Sequence, residues 1–250
     1  MSSPREGLRI AMWSGPRNIS TAMMRAWENC DDTVVTDEPI YAHYLLATGV
    51  QHPGRDEVLA AQDSDPAAVA AMLTGPIPGG RPIWYQKHMT QHMLPGMSFD
   101  WLDQVCNCFL IRAPEAVVAS FTIQRPDAAP WELGFEQQAR LFDHVCDRLG
   151  HAPPVIDAGD VLRDPAGILG ALCDRLGIGF SPRMLHWPAG PRASDGVWAP
   201  HWYAAVERST GFAPCRDPPT TLSPFQRQLA DQARRHYEQL APHRMFATRH

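Results

Sequence analysis

Apolar residues along the chain fall into two alternating patterns, short continuous runs and longer stretches at helical spacing. The continuous runs are Leu8 to Trp13, Thr33 to Thr36, Ile83 to Gln86, Cys106 to Ile111 and Pro154 to Asp157. Short apolar or β-branched runs bounded by turn signals read as strands buried on both faces, as the strands of a parallel sheet are. Between them, the helical period predicts helices over 19–29, 41–46, 65–73, 114–121 and 135–149. A further helix opens at Asp164-Pro165-Ala166 and closes at Gly177. The alternation predicts an α/β fold, a central parallel sheet flanked by helices.

The end of each strand carries polar chemistry, and in open parallel sheets ligands bind at the carboxyl ends of strands. The first strand breaks into Ser14-Gly15-Pro16-Arg17-Asn18-Ile19-Ser20-Thr21, a tight loop leading into a helix, with Asn18, Ser20 and Thr21 expected as caps. Unpaired N–H groups at a helix start, the positive end of its dipole and the charge of Arg17 predict a phosphate-like ligand. The loop departs from the nucleotide-hydrolase form G-x-x-x-x-G-K-S/T, because no Lys precedes its hydroxyl. The second strand delivers Asp37-Glu38-Pro39, which places Glu38 on the same crevice. The third delivers Lys87 and His88, with His92 four residues on; no carboxylate or cysteine stands nearby at ligand spacing, so no metal is expected. The fourth ends in Arg112, and Pro114 opens a helix on which Ser120 is expected to share an anion with it.

Composition sharpens two of these readings. Of the 22 basic residues, Lys87 is the single Lys, which marks it out in a chain that otherwise uses Arg. A net charge of −5 gives no general basic field for nucleic acid, so any anion must be bound locally. A length of 250 residues and a 44% hydrophobic content fit one domain over residues 1–250, with 49–80 and 186–250 as peripheral segments covering cofactor and substrate. Residues 41–75 and 186–215 are the expected wall-forming segments, with Tyr41, Tyr44, Trp187, Trp198, Trp202 and Tyr203 as their aromatic candidates. The six cysteines have no framework spacing and read as reduced core thiols. No N-terminal apolar region or run near the ~20 residues of a membrane span is present, so a cytoplasmic, soluble protein is expected.

In this order the pieces resemble the sulfotransferases that use 3′-phosphoadenylyl sulfate (PAPS), whose fold is P-loop nucleotide-kinase-like. Trp13-Ser-Gly-Pro-Arg-Asn-Ile-Ser-Thr21 is similar to their 5′-phosphosulfate loop, and Phe109-Leu-Ile-Arg-Ala-Pro-Glu-Ala-Val-Val-Ala-Ser-Phe121 to their 3′-phosphate segment. Val161 to Ile178 is similar to the helix after their later strand. The resemblance implies that Gly15, Pro16, Arg17, Asn18, Ile19, Ser20 and Thr21 hold the 5′-phosphosulfate and that Arg112 with Ser120 holds the 3′-phosphate. It also implies that Arg192 and Ser194, in a late loop with Asp195-Gly196 and Trp198, fold over the cofactor. Lys87-His88 with Leu94-Pro95 resembles the Lys-Thr-His…Leu-Pro segment in which His is the general base, whereas other branches put a Glu where Glu38 stands; both bases remain open. Arg17 replaces the Lys of the cytosolic pattern, a fork in place of a point charge, and Arg112-Ala113-Pro114 replaces Arg-Asp-Pro. The expected chemistry is metal-free sulfuryl transfer to a hydroxyl or amine of a small-molecule acceptor, with adenosine 3′,5′-bisphosphate as product. An ATP/Mg²⁺-dependent small-molecule kinase and a non-catalytic nucleotide-binding module are the alternatives.

Overall fold

The computed structural model describes residues 7–215 and 221–247, so the extreme N-terminus read above lies outside the described residues. Five parallel strands, β1 (Leu8–Ser14), β2 (Thr33–Asp37), β3 (Ile83–Met89), β4 (Cys106–Ile111) and β5 (Val155–Asp157), form one sheet in the order β2-β3-β1-β4-β5. The chain leaves β1 toward β2 and, after β3, crosses to β4 on the other side. The connections therefore diverge at the carboxyl ends of β1 and β3, the switch point where open α/β sheets bind ligands.

Around the sheet, in chain order, lie α1 (Ser20–Glu28), α2 (Tyr41–Thr48), α3 (Arg55–Ala61), α4 (Pro66–Thr74), α5 (Pro114–Phe121), α6 (Phe135–Leu149), α7 (Ala158–Arg163), α8 (Pro165–Leu176), α9 (Ala199–Trp202), α10 (Ala204–Glu207) and α11 (Pro224–Leu240). Strand alternation sorts the core into two layers. Ile10, Met12, Tyr85, Cys108 and Leu110 pack against Met23, Met24 and Trp27 of α1 and against Leu169 and Leu172 of α8. Ala11, Trp13, Trp84, Phe109 and Ile111 pack on the opposite face against Leu141, Phe142 and Val145 of α6 and against Val69 and Leu73 of α4. No described helix is long and apolar enough to cross a membrane.

Two expectations change. The apolar run at Ile83 continues through Lys87 and His88 to Met89, so these two residues lie inside β3 rather than beyond its end. Residues 49–80 do not merely border the surface. Val69 and Leu73 of α4 join the sheet core, and Gln86 Nε2 donates to Leu73 O at 2.8 Å. Val58 of α3 shares a buried cluster with Tyr41, Tyr44, Trp198 and Tyr203, so the 49–80 and 186–215 segments pack on each other through α2.

Candidate active site

The loop after β1 is held by its neighbours rather than by its own caps. Asn18 turns its Nδ2 to Leu110 O on β4 (2.6 Å), and Gln138 of α6 donates to both Trp13 O (3.1 Å) and Leu110 O (3.0 Å). Gly15 is required by close approach, since a Cβ there would lie 2.7 Å from the Leu133 carbonyl oxygen. Helix α1 starts at Ser20 behind Ile19, and no side chain caps it; Ser20 and Thr21 sit in its first turn instead. Its leading N–H groups are therefore left for another acceptor. Arg17 (φ 58) and Ile19 (φ 50) are held left-handed although neither is glycine, a backbone arrangement that builds N–H nests for anions.

Two guanidinium groups flank this helix start. Arg17 Nε donates to Ser120 Oγ at 2.9 Å, and Arg112 donates to the Arg17 carbonyl oxygen. Neither Arg has a carboxylate at ion-pair distance among the described residues. Burial pulls both pKa values down, and Arg17 pulls that of Arg112 further. Half-buried cations with no described carboxylate at ion-pair distance, beside an open helix N-terminus, make an anion cradle.

A second group stands where β2 and β3 end. Asp37 pairs with Lys87 in register, so both side chains point to one face. Lys87 Nζ donates to Asp37 Oδ1 (2.8 Å), Glu38 Oε1 (2.6 Å) and Tyr203 OH (2.6 Å). Tyr203 OH donates to Asp37 Oδ2 (2.7 Å) and accepts from Trp198 Nε1 (3.1 Å), while Gly196 N reaches the same Asp37 oxygen at 3.2 Å. Burial opposes the charge on Lys87, but Asp37 and Glu38 overcome it and hold its pKa well above the ordinary lysine value. Burial raises the Glu38 pKa; Lys87 counters it and Asp37 adds to it. His92 Nε2 lies 4.0 Å from Glu38 Oε2, and burial, with help from His52 and Lys87, keeps that imidazole neutral.

One cavity of about 430 Å³ joins the two groups. Pro16 to Ala22, Arg112 and Ser120 line one part of it; Glu38, Lys87, Tyr41, His52, His92, Trp198, Trp202 and Tyr203 line another. Residues 8–240 match the model of the Sulfotransferase domain. The chain belongs to the sulfotransferase family. It is 36% identical over 224 residues to Branched-chain-amino-acid aminotransferase-like protein 2 of Arabidopsis thaliana, and 38% identical over 214 residues to protein 1 of the same name. These alignments cover 89% and 85% of this chain but 39% and 38% of the relatives, so the chain spans about two fifths of the length of the curated relatives it matches. Solved structures show the same fold. The Sulfotransferase Domain from the Curacin Biosynthetic Pathway aligns with TM-score 0.53 at 17% identity, covering 92% of this chain and 98% of that one. The Sulfotransferase from Alicyclobacillus acidocaldarius aligns with TM-score 0.55 at 13% identity, covering 96% and 97%.

Within this sulfotransferase fold, Glu38 and Lys87 meet on one face of the cavity and His88 does not. Successive strand residues face opposite ways, so His88 points to the α6 side, stacked on Trp13 with ring centroids 4.3 Å apart, and burial pushes its pKa down to about 3. Beyond Lys87 on the same face of β3 comes Met89, which lines the cavity and carries no titratable group. Arg192 and Ser194 are also outside the cavity lining. Arg192 donates to Pro188 O (2.8 Å) and Ser194 Oγ to Glu28 Oε1 (2.5 Å), beside Asp195, which pairs with Arg25 at 2.7 Å. The buried Arg25 guanidinium needs these carboxylates, and the late loop is thereby latched to the end of α1. Gly15 lies behind the loop rather than on its cavity side. Asp37 and the polar role of Tyr203 were missed from the sequence. The available signal was the solitary Lys itself, since a buried ammonium must find a carboxylate and Asp37 is adjacent to Glu38.

Proposed function

We propose that this protein moves a sulfuryl group from 3′-phosphoadenylyl sulfate to a hydroxyl or amine of a small-molecule acceptor. The observation that carries the reading is the continuity of one cavity from the Arg17, Arg112 and Ser120 cradle to the Glu38 and Lys87 pair. The donor fits the chemistry of the residues present. Its 5′ end would take the open N-terminus of α1 and the loop N–H groups, and its 3′-phosphate would take Arg112 and Ser120, with Arg17 already reaching toward Ser120. When bound, it supplies an activated sulfuryl group whose bond to the 5′-phosphate oxygen breaks as the bond from sulfur to the acceptor oxygen or nitrogen forms, leaving the electron pair on the phosphate.

The residues' tasks are positioning and charge neutralisation. Glu38 takes the acceptor's proton, a contribution on the order of 10²–10⁴-fold in rate. Lys87, held protonated by its carboxylates, offers positive charge where the leaving oxygen gains electrons. Tyr41, Trp198 and Trp202 wall the acceptor side and keep water out. The test is acceptor-dependent formation of adenosine 3′,5′-bisphosphate from PAPS by the purified protein, with pooled small alcohols and amines as acceptors. Glu38→Gln should reduce it at least about 100-fold. Consumption of ATP with Mg²⁺ and inertness toward PAPS would overturn the proposal in favour of a kinase.

A further inference from the structure

An ammonium group has three N–H donors, and in this structure Lys87 spends all three inside the protein, on Asp37, Glu38 and Tyr203. It can touch a ligand oxygen only by giving one up. The three partners are not equally free to leave. The Asp37 side chain is 1% exposed, and its second oxygen is engaged by Tyr203 OH and Gly196 N. Tyr203 is buried and tied to Trp198 Nε1 as well as to Asp37. Glu38 has a side chain 12% exposed, lines the cavity and is itself left-handed (φ 39) after β2, and among the described residues its second oxygen has no hydrogen bond, His92 Nε2 lying 4.0 Å away.

We infer that Glu38 is the exchangeable partner: a donor oxygen replaces it on Lys87, while Asp37 and Tyr203, as positioning residues, keep hold of the ammonium throughout. The inference rests on the donor site proposed above. Its consequence is an order of events. While Glu38 Oε1 accepts from Lys87, the ammonium holds down the carboxylate's affinity for the acceptor's proton. Once the exchange has occurred, the groups facing Glu38 are Asp37 beside it, Tyr41 on α2, His92 after β3 and Tyr203 after α9, and Lys87 is the one cation among the described residues that touches it. Losing that cation raises the carboxylate's proton affinity. Donor binding thus arms the base, and an acceptor that arrives first meets a carboxylate whose Oε1 is engaged and whose basicity Lys87 holds down.

The experiment is calorimetric titration with adenosine 3′,5′-bisphosphate at pH 7 in buffers of different ionisation enthalpy, which counts protons exchanged on binding, together with a crystal structure of the same complex. The parent protein should take up a fraction of a proton more than Glu38→Gln, the rest of its Glu38 staying ionised as base, because titration of the phosphates is common to both and cancels. The complex should show Lys87 Nζ bonded to Asp37, Tyr203 and a 5′-phosphate oxygen, with Glu38 released. Tyr203→Phe should bind the bisphosphate within about threefold of the parent yet lose at least about tenfold in turnover, since its effect is on the held geometry of Lys87. Equal proton counts, or a complex in which Lys87 keeps Glu38, overturn the exchange alone. Failure to bind the bisphosphate overturns the donor site and the exchange with it.

Discussion

A buried ammonium survives in a protein only beside counter-charge, and Lys87 has two carboxylates and a phenol around it. Arg cannot copy this arrangement, because its planar fork sends its donors along fixed in-plane directions whereas an ammonium rotates three around one atom. Lys87→Arg is therefore expected to bind adenosine 3′,5′-bisphosphate nearly as well as the parent while losing at least about tenfold in turnover, about 1.4 kcal/mol of barrier. Undiminished turnover would show the single Lys to be incidental to the chemistry. Residue identity made Lys87, Glu38, Arg17 and Arg112 legible from sequence, because each is a charge at a strand end or turn. Side-chain direction was not legible. His88 looked equivalent to Lys87 only while β3 was read as ending at Gln86; with β3 running to Met89, the two residues face opposite layers. The unfolded chain protonates His88 near 6.5, whereas burial holds the folded value at about 3. Between those values the unfolded state binds the extra proton, so the His88 contribution is intact above about pH 6.5 and is lost as pH falls below it. Glu38 and Asp157, whose pKa values burial raises, act in the opposite sense. The isolating measurement is the slope of the urea midpoint between pH 7 and 5, expected to be shallower in His88→Gln than in the parent. An identical slope would show that His88 is not held neutral.

At the scale of elements, the strands and long helices followed from apolar spacing. The observed α6 has the bounds that its 3.6-residue period predicts, and α8 opens on the Asp164 side chain at Gly167 N as the Asp-Pro signal indicates. The start of α1 could not be read the same way, because Asn18 is a good capping residue whose amide is claimed by Leu110 O on β4, a partner 92 residues away. Long-range contact also explains Gly15, whose φ needs no glycine but whose α-carbon is pressed against the Leu133 carbonyl. Gly15→Ala should push the loop away from the Pro130–Leu133 turn, costing about 1–3 kcal/mol of stability and weakening bisphosphate binding together with it. A variant with parental Tm and affinity would show that the loop can shift freely.

Across the whole molecule, the two ends of the cavity come from sequence-distant elements, and the segment that completes the Lys87 group comes last. Tyr203 and Gly196 reach Asp37 from 166 and 159 positions along the chain, and Asp195 ties the same segment to Arg25 on α1. No local period announces such a segment: its helices α9 and α10 are four residues each, and its aromatic residues could equally have formed core. The central claim is that this cavity is built for a nucleotide carrying both a 5′- and a 3′-phosphate. Calorimetry with adenosine 3′,5′-bisphosphate, ADP and AMP in the absence of Mg²⁺ tests it most directly. The bisphosphate should bind far more tightly than either of the others, and Arg112→Ala should erase the preference, since losing a charge-assisted hydrogen bond costs about 1.5–3 kcal/mol, roughly 10- to 150-fold. Equal affinity for the three nucleotides, or an absolute requirement for Mg²⁺, would contradict the account.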